Sequence, residues 1–480
     1  MEIKRNLTLL TDLYELTMMN GYLKEGKQDE IVVFDVFFRQ NELITYSLAA
    51  GLEQAIDYIL NLSFDAEDIA YLRSLNIFSA EFLSYLENLK FSGDVYSVPE
   101  GTMVFPGEPI LTVKAPVMEA QLIETAILNI INHQTLIASK AAKIRYSAGG
   151  DNVMEFGLRR AQGPDAGIYG TRASIIGGCN STSNVLAGQM FDIPVAGTHA
   201  HSWVMSFPSE YEAFKAYAET YPDATLLLVD TYDTLKSGIP NAIKVFDELK
   251  AKGKKPLGIR IDSGDLAYLT KKARQMLDNA GYPDTVICAS GDLDEKLIQS
   301  LKLQGAKINS WGIGTKLITS ADMPALGGVY KLAGVVNEDG TITPKIKVSE
   351  TTAKITNPGF KKVIRIYDKK SGKAEADLIA LFDETFDTSK PLTITHPIET
   401  WKKITFTDYE IKELSVKIIE NGKLVYKFPS VKEIAKFAKE EMQSFWDEYL
   451  RLDRPHVYKV DLSDKLLNLK TEMLSNIRKR

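Results

Sequence analysis

Two histidines stand two residues apart in the run VAGTHAHS (195–202), directly after the short apolar stretch 191–196. The chain has five histidines in all, so the pair His199 and His201 needs a reason. Near neutral pH, imidazole is the side chain best suited to exchange a proton or to accept a phosphoryl group. An H-x-H pair at a strand end can also hold a metal ion in a hydrolase. That chemistry needs further histidines on later strands. The others are His133, on an apolar helical run upstream, and His396 and His456, far downstream. The metal reading is therefore the weaker one, and no structural metal is expected. A hydrogen-bonded structural role is the simpler expectation for His199; His201 is the candidate for chemistry.

Four further apolar runs end in polar residues. ATLLLVD (224–230) ends at Asp230, and PLGIRID (256–262) carries Arg260 and Asp262. TVICASGD (285–292) leads to Ser290, Gly291 and Asp292, and KINSWGIGT (307–315) leads to Gly312, Gly314 and Thr315. Continuous apolar runs suit strands buried on both faces of a parallel sheet. The carboxyl ends of such strands form one rim, where active sites of these folds lie. A single aspartate at a strand end is commonly a helix cap; four polar clusters in series point to one site.

The rim suits an anion. Arg159, Arg160, Arg172 and Arg260 fall near strand ends or in the loops after them, and a guanidinium fork matches carboxylate and phosphate. GIGT offers glycine N–H groups and a threonine hydroxyl as a phosphate cradle, although alone it is no more than a tight turn. Asp230, Asp262 and Asp292 are candidates to hold Mg²⁺, which accompanies phosphate-rich substrates.

The elements that must position these residues follow from patterning. Residues 7–24 read as an amphipathic helix capped at Thr11-Asp12, and EIVVFDVFF (30–38) as a strand. Helices are expected over 50–61 and 65–90, a small antiparallel β unit over 93–114, and an apolar helix over 118–147. From DNVMEF (151–156) onward, strands alternate with helices at 239–251, 265–280 and 293–304. After about 337 the alternation stops. A hairpin tip is expected at Ser371-Gly372, and amphipathic helices over 429–451 and 463–478. The expected class is α/β: an irregular (β/α) barrel-like domain (118–345), an α+β N-terminal domain (1–117) and a C-terminal extension (346–480) packing back on it.

Bulk properties narrow the function. With 480 residues, more than one domain is expected. A formal charge of −6 argues against a nucleic-acid surface. Two cysteines, Cys179 and Cys288, exclude a disulfide framework or a cysteine zinc site. No long apolar run or secretory leader is visible, so a soluble cytoplasmic protein without membrane partner is expected.

Taken together, TDLYELTM, EFGLRRAQGPDAG, STSNVLAGQ, PVAGTHAHSW, GIRIDSGDL and SWGIGT resemble the nicotinate phosphoribosyltransferase family, in the family's order. The resemblance continues through KLVYKFPSVKEI and WDEYLRLDRPHVY, so it covers essentially the whole chain. It implies a type II phosphoribosyltransferase that makes nicotinate mononucleotide and pyrophosphate from nicotinate and phosphoribosyl pyrophosphate (PRPP), the first step of NAD salvage from nicotinate. It further implies Mg²⁺, ATP as co-substrate hydrolysed through a phosphohistidine, and a homodimer with shared active sites.

By the resemblance, His201 is the phosphorylated histidine and Asp230 the acid that orients it. Thr198 and Arg260 contact nicotinate, Arg260 through the pyridine carboxylate. Phe156 stacks on the ring, and Tyr14 matches an aromatic that reaches the site from the partner subunit. Arg159 is the candidate for pyrophosphate. Asp262, Ser263, Gly291, Asp292, Gly312, Gly314 and Thr315 match the PRPP region, with Asp262 and Asp292 meeting ribose hydroxyls or Mg²⁺. Arg172 and Ser183 receive no role. Nicotinamide and quinolinate phosphoribosyltransferases are the nearest alternatives, and a metal-dependent amidohydrolase is the alternative from another class.

Overall fold

The computed structural model describes residues 5–40, 45–351, 354–396 and 398–478. It is a mixed α/β structure of two compact units, Met1–Leu136 with Ala325–Arg480, and Ile137–Pro324. No helix among the described residues is long and apolar enough to cross a membrane.

The first unit is built from both ends of the chain. The β-branched run Ile31–Phe38 forms a strand paired on one side with Leu111–Pro116 and on the other with Gly328–Val336, both antiparallel. Asp94–Ser97, Val416–Glu420, Lys423–Leu424 and Ile342–Pro344 complete a seven-stranded sheet. Helices Leu52–Leu60, Ala66–Ser74 and Ala80–Leu86 bury Ile56, Ile59, Leu72 and Phe82 in the same core as Val32, Phe34 and Val113. The single helix expected over 65–90 is thus two. Asn76 turns left-handed at φ 56°, and the Ser79 hydroxyl caps the second helix by accepting from the Phe82 N–H. Asn and Ser compete locally for backbone bonds, which favours such breaks. Asp12 is the N-cap residue of helix Leu13–Lys24 as expected, but its carboxylate accepts from Thr125 Oγ1 rather than from the helix backbone.

A second sheet of the first unit holds the hairpin Lys361–Asp368 and Ala374–Leu381, whose tip includes Ser371 and Gly372 as expected. Behind it lies a buried charge cluster. Arg365, 0% exposed, donates to Asp377 at 2.8 and 2.6 Å, to Glu441, and to the Met103 carbonyl.

The second unit carries the βα alternation. Its strands are β1 (Asn152–Glu155), β2 (Ser181–Thr182), β3 (Leu226–Leu228), β4 (Gly258–Ile261), β5 (Val286–Ser290) and β6 (Ser310–Ile313). They form one parallel sheet in the order β2-β1-β6-β5-β4-β3. The helices are α1 (Pro164–Ile176), α2 (Val185–Phe191), α3 (His201–Met205), α4 (Glu210–Thr220), α5 (Ile239–Ala251), α6 (Leu266–Asn279), α7 (Glu295–Leu303) and α8 (Thr315–Ile318). Strand residues Ile259, Ile261, Cys288, Ala289 and Trp311 are 0% exposed, as a sheet covered on both faces requires.

The apolar stretch 191–196 does not become a strand. Only Val195 bridges Thr182 of β2. Pro194 has no N–H to give a ladder, and α2 runs through Phe191, leaving too few residues.

Candidate active site

His201 is the first residue of α3, and Asp230 lies two residues beyond β3. The imidazole Nε2 is 3.2 Å from Asp230 Oδ1. Asp230 Oδ2 accepts the Asp262 N–H at 2.9 Å and the Ser263 hydroxyl at 2.6 Å. The carboxylate side chain is 2% exposed while the histidine is 40% exposed. An anchored acid therefore holds a ring that solvent can reach. With Nε2–H donated to Asp230, the lone pair sits on Nδ1, the nitrogen left to act as nucleophile.

Arg260, in β4, donates from each of its three guanidinium nitrogens and keeps two N–H groups in reserve. Nε donates to Ser290 Oγ at 2.7 Å, Nη1 to Thr198 Oγ1 at 2.9 Å, and Nη2 to Asp262 Oδ1 at 2.7 Å. Ser290 Oγ in turn donates to Asp262 Oδ1 at 2.5 Å. Its Cζ lies 5.7 Å from the centre of the Phe156 ring. The fork is thereby fixed in direction before any ligand arrives. Burial alone would raise the Asp262 pKa, but the bonds from Ser290 and Arg260 and the Arg260 charge outweigh it and hold the carboxyl below its usual range.

The loops beside this network close around Phe156. A Cβ at Gly312 would stand 2.6 Å from the Phe156 ring, so β6 needs glycine there for the ring to lie against it. Gly291 takes φ 93°, and a Cβ on it would meet the Asp262 carbonyl at 2.4 Å, so the end of β5 can rest on the end of β4. Below Phe156, the buried Glu155 accepts from the Gly157 N–H, from Thr171 Oγ1 at 3.0 Å and from Thr182 Oγ1 at 2.6 Å. Arg159 and Arg160 follow on the exposed turn Leu158–Arg160. Gly314 and Thr315 lead into α8, and Asp292 stands exposed at φ 33° after β5.

His201, Asp230, Ser263, Asp262, Arg260, Thr198 and Phe156, all singled out by sequence, thus form one connected constellation. Gly312 lies within β6, and Gly291, Asp292, Gly314, Thr315 and Arg159 follow the ends of strands of the same unit. Tyr14 belongs to the other unit, on helix Leu13–Lys24, with its side chain 45% exposed. Arg172 is buried within α1 with its Cζ 5.9 Å from the Phe191 ring, and Ser183 is exposed after β2. His199 is 7% exposed, and both its ring nitrogens face backbone groups. Two contributors were not assigned from sequence: Ser290, which joins Arg260 to Asp262, and Glu155. The signal for Ser290 is its place at a strand end, two residues after Cys288 opposite Arg260.

Three family models match in succession: the nicotinate phosphoribosyltransferase N-terminal domain over residues 9–132, the nicotinate phosphoribosyltransferase family over 152–367, and the nicotinate phosphoribosyltransferase C-terminal domain over 360–470. The nicotinate phosphoribosyltransferase of Bacillus subtilis (strain 168) is 47% identical over 476 residues, covering 99% of this chain and 96% of that protein. The chain belongs to the nicotinate phosphoribosyltransferase family. The Caenorhabditis elegans nicotinate phosphoribosyltransferase is 36% identical, with 95% of this chain and 92% of that protein covered. The crystal structure of human nicotinic acid phosphoribosyltransferase superposes with a TM-score of 0.84 at 30% identity, covering 97% of this chain and 100% of that chain. The protein is accordingly an enzyme of NAD biosynthesis, a phosphoribosyltransferase. The constellation around His201 and Arg260 lies inside the segment matched by the family's central model.

Proposed function

We propose that this enzyme makes nicotinate mononucleotide and pyrophosphate from nicotinate and PRPP, and couples the reaction to ATP through a phosphate on His201. The observation that carries the reading is the His201–Asp230 contact beside a pre-fixed Arg260. Nδ1 of His201 attacks the γ-phosphorus of ATP; the N–P bond forms as the bond to ADP breaks. Nicotinate nitrogen then attacks the ribose anomeric carbon as pyrophosphate leaves. Water finally cleaves the phosphohistidine, releasing phosphate and drawing the transfer forward.

In this reading the site positions and neutralises more than it moves protons. Arg260 meets the pyridine carboxylate, Thr198 steadies both, and Phe156 covers the ring face. Arg159 receives pyrophosphate, and Ser263, Gly291, Gly312, Gly314 and Thr315 line the phosphate path. Mg²⁺ neutralises phosphate charge when bound. The described residues contain no cluster of three acidic, histidine or cysteine side chains able to hold a metal, so the ion would arrive with the phosphates, and Asp262 and Asp292 are the carboxylates that would hold it. Leu13 and Tyr14, 54% and 45% exposed on one helix, support burial of that face against a second copy in a homodimer. Buried, unpaired Cys179 and Cys288 fit a reducing compartment such as the cytoplasm.

One guanidinium suits a base with one carboxylate, which favours nicotinate over neutral nicotinamide and over the diacid quinolinate. An amidohydrolase would need His199 as a ligand, and its ring nitrogens are already committed to backbone. The test is labelling with [γ-³²P]ATP. An acid-labile, alkali-stable phosphate on the wild type that disappears in His201→Ala supports the reading; equal labelling of both proteins refutes it.

A further inference from the structure

β3 is an edge of the parallel sheet, and an edge strand leaves backbone groups unpaired. The Val229 N–H donates to the Arg260 carbonyl on the β4 side, so the Leu228 N–H points the other way. There it donates to Nε2 of His199 at 3.3 Å. Nδ1 of the same ring lies 3.4 Å from the Ala200 carbonyl. One neutral tautomer, with its proton on Nδ1, satisfies both contacts. The ring is held edge-on against Tyr217 of α4, centroids 4.8 Å apart, and burial lowers its pKa to about 4, which keeps Nε2 an acceptor.

A second contact of the same segment reaches a side chain rather than the backbone. His199 meets Leu228 and His201 meets Asp230, with a separation of 29 residues in both pairs. Residues 199–201 therefore run beside 228–230 in parallel register, with the His199 imidazole taking the edge N–H of Leu228 in place of a backbone carbonyl and His201 meeting the Asp230 carboxylate. On the other flank, the Ala196 N–H donates to the Thr182 carbonyl of β2 at 2.9 Å. The segment thus closes the gap between the two sheet edges without being a strand.

We propose that His199 is a positioning residue, which joins the segment bearing His201 to β3 and so sets the distance between His201 and Asp230. Its consequence for turnover rests on the phosphohistidine reading; its geometry does not. The test compares wild type with His199→Gln, which keeps an acceptor, and His199→Leu, which keeps bulk alone. Two quantities are read: amide hydrogen exchange at Leu228 and the rate of labelling from [γ-³²P]ATP. In His199→Leu, exchange at Leu228 should speed up at least about tenfold, because that amide loses its acceptor. Labelling should slow at least about tenfold, because the nucleophile is misplaced. His199→Gln should stay within about threefold on both, since a typical hydrogen bond is retained. Equal behaviour of all three proteins overturns the proposal. So does equal loss in both variants, which would make ring packing the cause. If His199→Leu does not fold, His199→Met takes its place in the same comparison. If the wild type accepts no label, the phosphohistidine reading falls, and exchange at Leu228 alone decides whether His199 joins the two segments.

Discussion

Asp230 holds His201 at 3.2 Å with one carboxylate oxygen and the backbone of Asp262 at 2.9 Å with the other. Because Asp262 also accepts from Arg260 at 2.7 Å, the histidine and the arginine share one bonded path of two aspartates. A phosphate arriving on His201 would repel Asp230, and that push would be felt along the path to the arginine. The contact has a direct consequence. Asp230→Asn presents an amide where the imidazole N–H expects an acceptor, so the wrong tautomer is favoured. Loss of such an orienting partner costs roughly 10–100-fold in related settings, so His201 labelling should slow by about that factor. The measurement is the labelling rate at saturating ATP, and a rate equal to wild type would mean that Asp230 does not orient the ring.

On the proposed reading Arg260 separates acids from amides, through a fork whose direction Ser290 and Thr198 fix at 2.7 and 2.9 Å. Arg260→Lys keeps the charge but loses the fork. The preference for nicotinate over nicotinamide, read as the ratio of kcat/KM values, should fall by roughly tenfold or more. An unchanged ratio would place base selection elsewhere.

Much of this site was legible from sequence because its signals are local. The apolar runs ending at Asp230, Arg260–Asp262 and Ser290 became β3, β4 and β5, and the helix expected over 239–251 is Ile239–Ala251. What stayed hidden depends on distant partners. The run 30–38 reads plainly as a strand, but its pairing of Val32 with Val335 joins residues some three hundred positions apart, and periodicity says nothing of that. The bond from Ser290 to Asp262 is hidden for the same reason. The stretch 191–196 misled in the opposite direction: its composition suits a strand, but Pro194 and the end of α2 leave room for one bridge only. His199 then does with a side chain what a strand would have done with its backbone.

The same histidine sets a pH dependence. Burial lowers its pKa from the ordinary imidazole value of about 6.5 to about 4. Below the unfolded value the denatured chain binds a proton that the native ring refuses, so stability is complete above about pH 6.5 and falls as pH drops toward 4. The loss should approach about 3 kcal/mol at the acid end of that window. Thermal unfolding of wild type and His199→Gln between pH 7 and 4.5 measures it; because only the wild type carries the titrating ring, it should lose stability relative to the variant as pH falls. Parallel curves would show that His199 titrates normally.

In the first unit, Arg365 stands between Asp377 and Glu441, whose side chains are 0% and 5% exposed. Glu108 lies beside Asp377, and burial followed by the Asp377 charge pushes its pKa well up, against the opposing Arg365 charge. Arg365→Met would leave the carboxylates buried without their counter-charge. The expected cost is about 3–5 kcal/mol, read as a lowered denaturation midpoint. The double substitution Arg365→Met with Asp377→Leu should recover part of it, and a single substitution without cost would mean that the cluster adds nothing to stability.

On the proposed reading this enzyme builds a nucleotide from nicotinate and draws on ATP to do so. The most direct measurement is formation of nicotinate mononucleotide from nicotinate and PRPP, with and without ATP, beside a nicotinamide control. Product is expected from nicotinate and not from nicotinamide, with a marked rise when ATP is added. Equal product from nicotinamide would contradict the role given to Arg260, and equal rates with and without ATP would contradict the role given to His201.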